Sequence, residues 1–316
     1  MKGSILGLHH VTATVAEAQP DLDFCVGALG MRLVKKTVNF DNHSVYHFYY
    51  GDERGTPGTI WTTFPYAGMG VPRGVIGEGQ ITATSFSVPA GSLDWWAQRL
   101  RERRVESAVI EDRFGEPGLA VDDPSGLRFE LLSSPRDERE PWAAGGIDPA
   151  AAIRGLHSVT MTIARPDATV ALMTGLLGFE VVAEEPGRVR LAAGGSGPGH
   201  TIDLAHGTGA GPARNGLGTV HHVAFAAPSG EVQRSIREAL LGQGGQVTEV
   251  LDRQYFQSIY FREPGGVLFE VATTSPGFTV DEALGSLGRE LKLPPWEEPN
   301  RARIEASLPQ ISPVSP

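Results

Sequence analysis

The sequence of 316 residues predicts an α+β fold made of four copies of one βαβββ unit. Three observations predict it. A strand-like start with alternating apolar residues occurs four times, a helical stretch follows each start, and three short strand-like runs follow each helical stretch. A similar spacing separates the first strand from the last strand in all four copies, which indicates one repeated supersecondary unit.

The first strand of each unit alternates between apolar and polar residues, as a half-buried strand does. These four starts lie at 8–12, 80–84, 156–160 and 220–224. The first and fourth starts are near copies, Leu-His-His-Val and Val-His-His-Val, although more than two hundred residues separate them. A repeated pair of histidines on equivalent strands indicates that the two units contribute to one site.

The helical stretches follow from apolar spacing and from the residues at their ends. Apolar residues about four apart predict helices over 92–103 and 230–241. In the other two units, Pro20 and Pro166 stand where a first helical turn would begin, and a glycine ends each helix.

The last strand also repeats, and a polar stretch divides the four units into two pairs along the chain. The last strands lie at 58–62, 126–130, 200–203 and 265–270. The predicted organisation is a first pair of units at 1–135, a linker at 136–152, a second pair at 153–275, and a C-terminal tail with a short helix at 276–316.

Composition excludes several classes of function. The formal net charge is −10, and no basic stripe is present, so the sequence disfavours nucleic acid as a partner. No apolar run approaches the roughly 20 residues of a membrane span. Cys25, the single cysteine, is predicted to be a small core residue and excludes an internal disulfide. We expect a cytoplasmic location, and the oligomeric state is open, a homo-oligomer included.

With these repeats and a set of local motifs, the chain resembles the vicinal oxygen chelate superfamily, which contains glyoxalases, bleomycin resistance proteins and extradiol dioxygenases. It resembles more closely the hydroquinone ring-cleaving dioxygenases, the chlorohydroquinone and methylhydroquinone 1,2-dioxygenase type. The resemblance covers nearly the whole chain. The motifs lie at 7–12, 36–41, 46–52, 55–59, 252–256, 258–262 and 293–296. The resemblance implies curved mixed sheets around a metal-binding cup.

In each unit, one position on the first strand and one on the last strand are predicted to face a cup. The first-strand positions are His10, Thr82, Ser158 and His222, and the last-strand positions are Thr62, Glu130, Asp203 and Glu270. Pairing the first unit with the fourth assembles His10, His222 and Glu270, with Thr62 as the fourth wall. Two imidazoles and one carboxylate are the facial ligand set that holds Fe(II) and leaves open coordination positions.

Other pairings of the units give poorer metal sites. The third unit with the fourth gives Asp203, His222 and Glu270, which has one histidine fewer, and the first with the second gives only His10 and Glu130. We therefore predict the pairing of the first and fourth units, and the resemblance implies the same. Fe(II) is the expected cofactor, with Mn(II) as the alternative that the same donors accept.

The remaining polar candidates have simpler interpretations. His157 is out of phase with the ligand positions, so on a regular strand it would point away from the cup. Glu130 and Asp203 are expected to be solvated or hydrogen-bonded. Four further histidines are expected to be structural or exposed: His43, His47, His200 and His206.

The resemblance also implies the groups that act beside the metal, namely Thr12, His221, Arg253 and Tyr260. Thr12 lies two residues after His10 and therefore on the same face of the strand. Regular alternation sends His221 away from the cup unless the strand is bulged there. The implied activity is extradiol-type cleavage of a hydroquinone ring with O₂, in which these side chains move protons and stabilise charge.

Two other functions remain open from the sequence. One is a Lewis-acid enzyme of the same superfamily, a glyoxalase-like isomerase or a thiol transferase, with a redox-inert metal. Glyoxalase-like sites present a fourth protein ligand, and Thr62 is a poor one. The other is a metal-free protein that binds an aromatic ligand, for which a complete ligand set would be unnecessary.

Overall fold

The computed structural model describes residues 5–142 and 146–314. Its strands form two eight-stranded mixed sheets, and helices pack against them, as the α+β prediction required. The strands of the first and second units are β1 (Leu8–Val15), β2 (Arg32–Asn39), β3 (Asn42–Gly51), β4 (Ile60–Pro65), β5 (Gln80–Val88), β6 (Ser107–Arg113), β7 (Glu116–Asp122) and β8 (Arg128–Ser133). Those of the third and fourth are β9 (Gly155–Thr162), β10 (Glu180–Glu185), β11 (Arg188–Ala192), β12 (Thr201–Ala205), β13 (Thr219–Ala227), β14 (Leu251–Asp252), β15 (Gln257–Arg262) and β16 (Leu268–Thr273).

One helix follows the first strand of every unit, so the predicted βαβββ order is confirmed. The helices are α1 (Ala18–Leu22), α2 (Leu93–Glu102), α3 (Asp167–Leu172) and α4 (Gly230–Gly242), with α5 (Arg301–Ser307) in the tail. Two of them continue as π-helical turns, Asp23–Ala28 after α1 and Met173–Leu177 after α3. None of the helices in the described ranges is long and apolar enough to cross a membrane.

The sheets combine units from both halves of the chain. The first sheet has the order β14-β15-β16-β13-β1-β4-β3-β2 and joins the first unit to the fourth. The second has the order β10-β11-β12-β9-β5-β8-β7-β6 and joins the second to the third. At the centre of each sheet, two first strands run antiparallel, and each is flanked by the parallel last strand of its own unit. Each sheet therefore takes one unit from either side of residues 136–152.

The two sheets share one large hydrophobic core. The Trp61 ring in β4 contacts the Phe129 ring in β8 edge-to-face, with 4.8 Å between the ring centroids. Phe24, from the turn after α1, packs against the same Phe129 ring. Cys25 is buried in this core, as predicted, and its thiol contacts the carboxylate of Asp21. Because the core is continuous, the sheets hold each other in place.

The tail closes over the β2 edge of the first sheet. The ammonium group of Lys35 is fully buried and lies 2.6 Å from Asp281 and 2.5 Å from Glu282. A further backbone bridge joins Lys36 to Leu291. A buried ammonium is costly unless it is paired, so these two acids fix the tail to the strand. The segment from Phe278 to Ser286 contains only 3-10 turns, Phe278–Val280 and Leu284–Ser286. The tail's α-helix is α5, which follows a third turn, Glu298–Asn300.

Candidate metal centre

Three donor side chains from three neighbouring strands meet on the inner face of the first sheet. They are His10 in β1, His222 in β13 and Glu270 in β16. His10 Nε2 lies 3.3 Å from His222 Nε2 and 3.3 Å from Glu270 Oε2, and His222 Nε2 lies 2.9 Å from the same oxygen. All three side chains are buried.

The strand register explains why these three donor side chains lie next to one another. In the antiparallel pair, Thr12 faces His222, and in the parallel pair, Ala224 faces Glu270. Residues two apart on a strand share a face, so His10 and Thr12 point the same way, as do His222 and Ala224. The pairing of the first and fourth units is what places the three donors side by side.

This donor set fits a divalent metal ion. Ligands held about 2.1 Å from one ion at right angles lie about 3.0 Å apart, which is the separation of these atoms. Glu270 Oε1 accepts a hydrogen bond from Ser258, whereas the buried Glu270 Oε2 has no hydrogen-bond partner among the described residues. Although burial alone would raise it, the adjacent His10 and His222 hold the pKa of Glu270 well below its ordinary value. A buried, ionised carboxylate oxygen between two imidazoles is a cation-binding arrangement.

Each of the two donor histidines is oriented by the histidine that precedes it. His9 Nδ1 lies 2.9 Å from His10 Nδ1, and His221 Nδ1 lies 2.7 Å from His222 Nδ1. Because Nε2 of His10 and of His222 must be unprotonated to bind a cation, each of these rings carries its proton on Nδ1. That N–H donates a hydrogen bond to the ring of the preceding histidine. Such a second hydrogen bond fixes the tautomer and the ring plane of a ligand.

Two β-bulges make this arrangement possible. The register of β1 against β13 skips one residue at His9 and one at His221. A bulge breaks the strict alternation of side chains, so both residues of each pair reach the same side. On a regular strand His221 would point away from the cup, and the bulge that brings it to the cup is present. For His9, sequence reasoning assigned no role, although the doubled His-His motif was the available signal.

A cavity of about 410 Å³ opens in front of the three donors. Its lining combines aromatic rings with a few polar groups, and all four side chains that the resemblance implied, Thr12, His221, Arg253 and Tyr260, belong to it. The remaining lining residues are His10, Asn39, Phe40, Asp41, His47, Tyr49, Phe64, Tyr66, His222, Thr248, Leu251, Phe256 and Leu268. The cavity is therefore shaped for a planar apolar molecule with polar substituents.

Arg253 and Tyr260 act as a pair on one wall of the cavity. Arg253 Nε donates to Tyr260 Oη over 3.2 Å, and the guanidinium lies 5.2 Å from the centre of the Tyr260 ring. The guanidinium also approaches the exposed Asp41 carboxylate at 3.7 Å. Glu249, which is close to Arg253 in the sequence, pairs with Arg237. Arg253 thus places a positive charge beside the metal centre.

His47 on β3, which was expected to be structural or exposed, is hydrogen-bonded within the fold and lies in the cavity wall. Its ring packs between those of Tyr49 and Phe64, at centroid distances of 4.0 Å and 4.2 Å. His47 Nε2 lies 2.9 Å from Thr62 Oγ1, and burial lowers the pKa of His47 well below its ordinary value. Along this strand, His47 and Tyr49 face the cavity. The buried Tyr46, Phe48 and Tyr50 belong to the main core.

The equivalent place in the second sheet is filled by ion pairs. Asp203 accepts from Arg190 Nε at 2.7 Å, and Glu130 pairs with Arg113. Both acids are buried. The expectation that they would be hydrogen-bonded is therefore confirmed, and the alternative that they would be solvated is wrong. Guanidinium groups here neutralise the carboxylates, as a metal ion would in the first sheet.

Two sequence predictions for the second sheet are wrong, both because of bulges. The register of β5 against β9 skips Thr82, so Ala83 and not Thr82 occupies the position equivalent to His222. The same pair of strands skips His157. His157 therefore does not point away from the second cup. Its Nε2 lies 3.2 Å from Glu116 Oε1, within the ion-pair cluster, and its Nδ1 lies 3.1 Å from the Ser158 hydroxyl.

Comparison with known proteins places the chain among dioxygenases. Residues 155–271 match the glyoxalase/bleomycin resistance protein/dioxygenase superfamily. The chain is 43% identical to the Bacillus subtilis protein named "Putative ring-cleaving dioxygenase MhqO", with 98% of this chain and 97% of the relative covered. It is 38% identical to the chlorohydroquinone/hydroquinone 1,2-dioxygenase of Sphingobium indicum, with 92% of each covered.

Solved structures agree with this placement. A crystal structure of a "putative dioxygenase" from Bacillus subtilis superimposes with a TM-score of 0.92 at 43% identity, covering 98% of both chains. Glyoxalase I from Zea mays gives a TM-score of 0.63 at 14% identity, over 85% of this chain and 92% of that one. The second similarity shows a shared fold only.

We predict that His10→Ala, His222→Ala and Glu270→Ala each lower the affinity for Fe(II) or Co(II) by more than about a hundredfold, because each removes a donor. Isothermal titration and metal analysis of the purified variants measure this. Asp203→Asn, which alters the second sheet, is the matched control and should retain wild-type affinity. Metal loss in the control but not in His10→Ala would place the metal elsewhere.

Burial lowers the pKa of His9 from 6.5 to about 3 in the folded chain. Between these two values the unfolded chain binds a proton that the folded chain does not. The contribution of His9 to the free energy of unfolding is therefore complete above pH 6.5 and is lost as the pH falls towards 3. The amide oxygen in His9→Asn can still accept from His10. We expect this variant to reduce the slope of the free energy of unfolding against pH by about 1.4 kcal/mol per pH unit between pH 6 and 4. Urea denaturation of the metal-free proteins measures it. An unchanged slope would mean that His9 titrates alike in both states.

Arg190→Met should destabilise the protein by about 3–5 kcal/mol, since it deprives the buried Asp203 of its closest partner. The double variant Arg190→Met/Asp203→Leu removes both charges and should recover part of that loss. Denaturant midpoints give the comparison, and metal affinity should stay at the wild-type value in both variants. A double variant less stable than Arg190→Met would contradict this account of the second sheet.

Proposed function

Because the chain belongs to the ring-cleaving dioxygenases of the glyoxalase/bleomycin resistance protein/dioxygenase superfamily, we propose that it opens a hydroquinone-type ring by Fe(II)-dependent, extradiol-type cleavage with O₂. The observation that carries this proposal is the position of the three donors on one side of an aromatic-lined cavity. The substrate of the Sphingobium relative, as its name states, supports hydroquinone as the class.

His10, His222 and Glu270 would hold the metal, and their chemistry fits Fe(II), with Mn(II) as the alternative. When bound, the metal supplies open coordination positions and a redox centre through which electrons can pass from an aromatic ring to O₂. The protein's part is to bind the ring, orient it, exclude water and move protons.

Aromatic side chains position the ring of the substrate. The Phe256 ring lies 5.2 Å from that of His10 and 4.9 Å from that of His9, so it covers one side of the metal centre. Phe64 and Tyr49 belong to another part of the same wall. Aromatic rings in a cavity wall favour stacked or edge-to-face contact with a planar guest, so this wall suits an aromatic substrate.

Three polar groups provide the charge and proton chemistry. Arg253 stabilises negative charge that develops on the ionised hydroxyl and during oxygen insertion. Burial, and the nearby Glu270, raise the pKa of Tyr260 above its ordinary value, so this phenol stays a hydrogen-bond donor. His221 accepts from His222 through Nδ1, so its Nε2 carries the proton, and at the cavity wall this N–H is placed to donate a hydrogen bond to an oxygen of the substrate.

The alternative functions fit the site less well. A glyoxalase-like site needs a fourth protein donor, and the candidate, Thr62, uses its hydroxyl to bond both His47 and Thr12. A metal-free binding protein would leave Glu270 Oε2 buried without a partner, which is costly. Both alternatives remain as outcomes of the experiment below.

We expect anaerobically reconstituted Fe(II) protein to consume one O₂ for each hydroquinone and to form a ring-opened chromophore. An oxygen electrode and ultraviolet spectra recorded in parallel test this with hydroquinone, methylhydroquinone and catechol. Arg253→Met should lower kcat/KM by about a hundredfold while retaining the metal, because it removes a charge that acts on the reacting atoms.

The controls separate metal loss from loss of chemistry. Glu270→Ala, which lacks a metal donor, should consume no O₂. Iron-loaded wild type that consumes no O₂ with any of the three diols would exclude the dioxygenase proposal. Turnover of a hemithioacetal with Zn²⁺ or Ni²⁺ would instead support the glyoxalase-like alternative, and metal-free binding of the diols would support the binding protein.

A further inference from the structure

A row of polar side chains crosses four neighbouring strands of the first sheet and leads to the metal centre. It begins at His47 on β3, continues through Thr62 on β4 and Thr12 on β1, and ends beside His222 on β13. The register places Thr62 directly opposite Thr12, and Thr12 directly opposite His222. Thr12 and Thr62 are fully buried. Among the described residues, the hydrogen-bond partners of these two hydroxyls are each other and His47.

The direction of the protons along the row is determined by its geometry. Thr62 Oγ1 donates to Thr12 Oγ1 over 2.8 Å, so the single proton of Thr62 is used there. His47 Nε2, at 2.9 Å from Thr62 Oγ1, must then be the donor of that contact. Thr12 accepts from Thr62, and the proton of Thr12 has no acceptor among the described residues.

We propose that His47 is a positioning residue that forces the hydroxyl of Thr12 to donate its proton into the cavity, towards the substrate. Resting on the proposed function, this assigns to Thr12 the hydrogen bond to the hydroxyl or carbonyl oxygen of the bound ring. His47 acts through two intervening hydroxyls, and it keeps Thr12 from turning its proton back to Thr62.

The His47 ring is held rigidly enough for this task. Tyr49 and Phe64 pack against it, which restricts rotation of the imidazole. A ring flip would put a carbon atom opposite Thr62 and would leave that buried hydroxyl without its donor, at a cost comparable to a lost hydrogen bond. The aromatic neighbours therefore fix the ring orientation, and the Thr62 hydroxyl selects the Nε2–H tautomer.

Three single variants test the row in the full-length enzyme. His47→Phe removes the donor, and we expect kcat/KM for hydroquinone to fall about tenfold, the equivalent of one hydrogen bond. His47→Gln carries an N–H near the position of Nε2 and should recover most of that loss. Thr62→Val breaks the row and should resemble His47→Phe. All of these variants should retain wild-type iron content, since none removes a metal donor.

The Thr12→Val background separates relay from packing. If His47 acts through Thr12, adding His47→Phe to Thr12→Val should lower kcat/KM by no more than about twofold further, because the hydroxyl on which it acts is already gone. A full tenfold further loss would show that His47 acts independently of Thr12, and it would overturn the proposal.

A second readout does not depend on turnover. Long-range ¹H–¹⁵N spectra of the metal-free protein report which ring nitrogen of His47 carries the proton, with His47→Gln identifying the signal. We expect the proton on Nε2 in the wild type and a mixture of tautomers in Thr62→Val. A proton on Nδ1 in the wild type would overturn the proposal. Failure of every diol to react, with the Nε2 tautomer observed, would refute the proposed function and leave the hydrogen-bonded row established.

Discussion

The structure depends on one constraint, the burial of the ionised Glu270 between two imidazoles. An unpaired carboxylate in a protein interior costs several kcal/mol, and His10 and His222 are the groups that can share a cation with it. That sharing requires β1 to lie beside β13, and hence the first unit beside the fourth. The second and third units then form the other sheet. There, with Ser158 and Ala83 where the first sheet has histidines, guanidinium groups neutralise the acids.

Repeat and periodicity predicted the fold class and the four βαβββ units, and together with the family resemblance they predicted the three side chains that converge in the first sheet. The register between paired strands could not be predicted from the same patterns. A single inserted residue reverses the face of every side chain that follows it. On the first strands of the four units, the bulged residues are His9, Thr82, His157 and His221. They occur in pairs at matching places in the two sheets, so the bulge is part of the repeated unit. A regular strand was the wrong reference for all four.

His47 illustrates a second limit of prediction from the sequence. Its sequence neighbourhood is a run of aromatic residues, which predicts a strand but does not say which residues face inward. What gives His47 a place at the site is a contact with Thr62 on the next strand, and Thr62 in turn bonds Thr12, 50 positions away. Sequence patterns report periodicity within an element. A hydrogen-bonded row across strands depends on which strands are neighbours, and only the folded chain specifies that.

The charges around the cavity limit the ionic form of the substrate. Arg253 is the one guanidinium that lines it in the described residues, and the Asp41 carboxylate, 3.7 Å from it at the exposed rim, carries the opposite formal charge. Burial lowers the pKa of His222 and of His47, so neither ring adds a positive charge near neutral pH. A divalent ion, if held by His10, His222 and Glu270 as proposed, would leave one net positive formal charge inside the cup. One ionised hydroxyl neutralises that charge, whereas a dianion would be in excess. We therefore expect a neutral diol to lose one proton on binding and to keep the other.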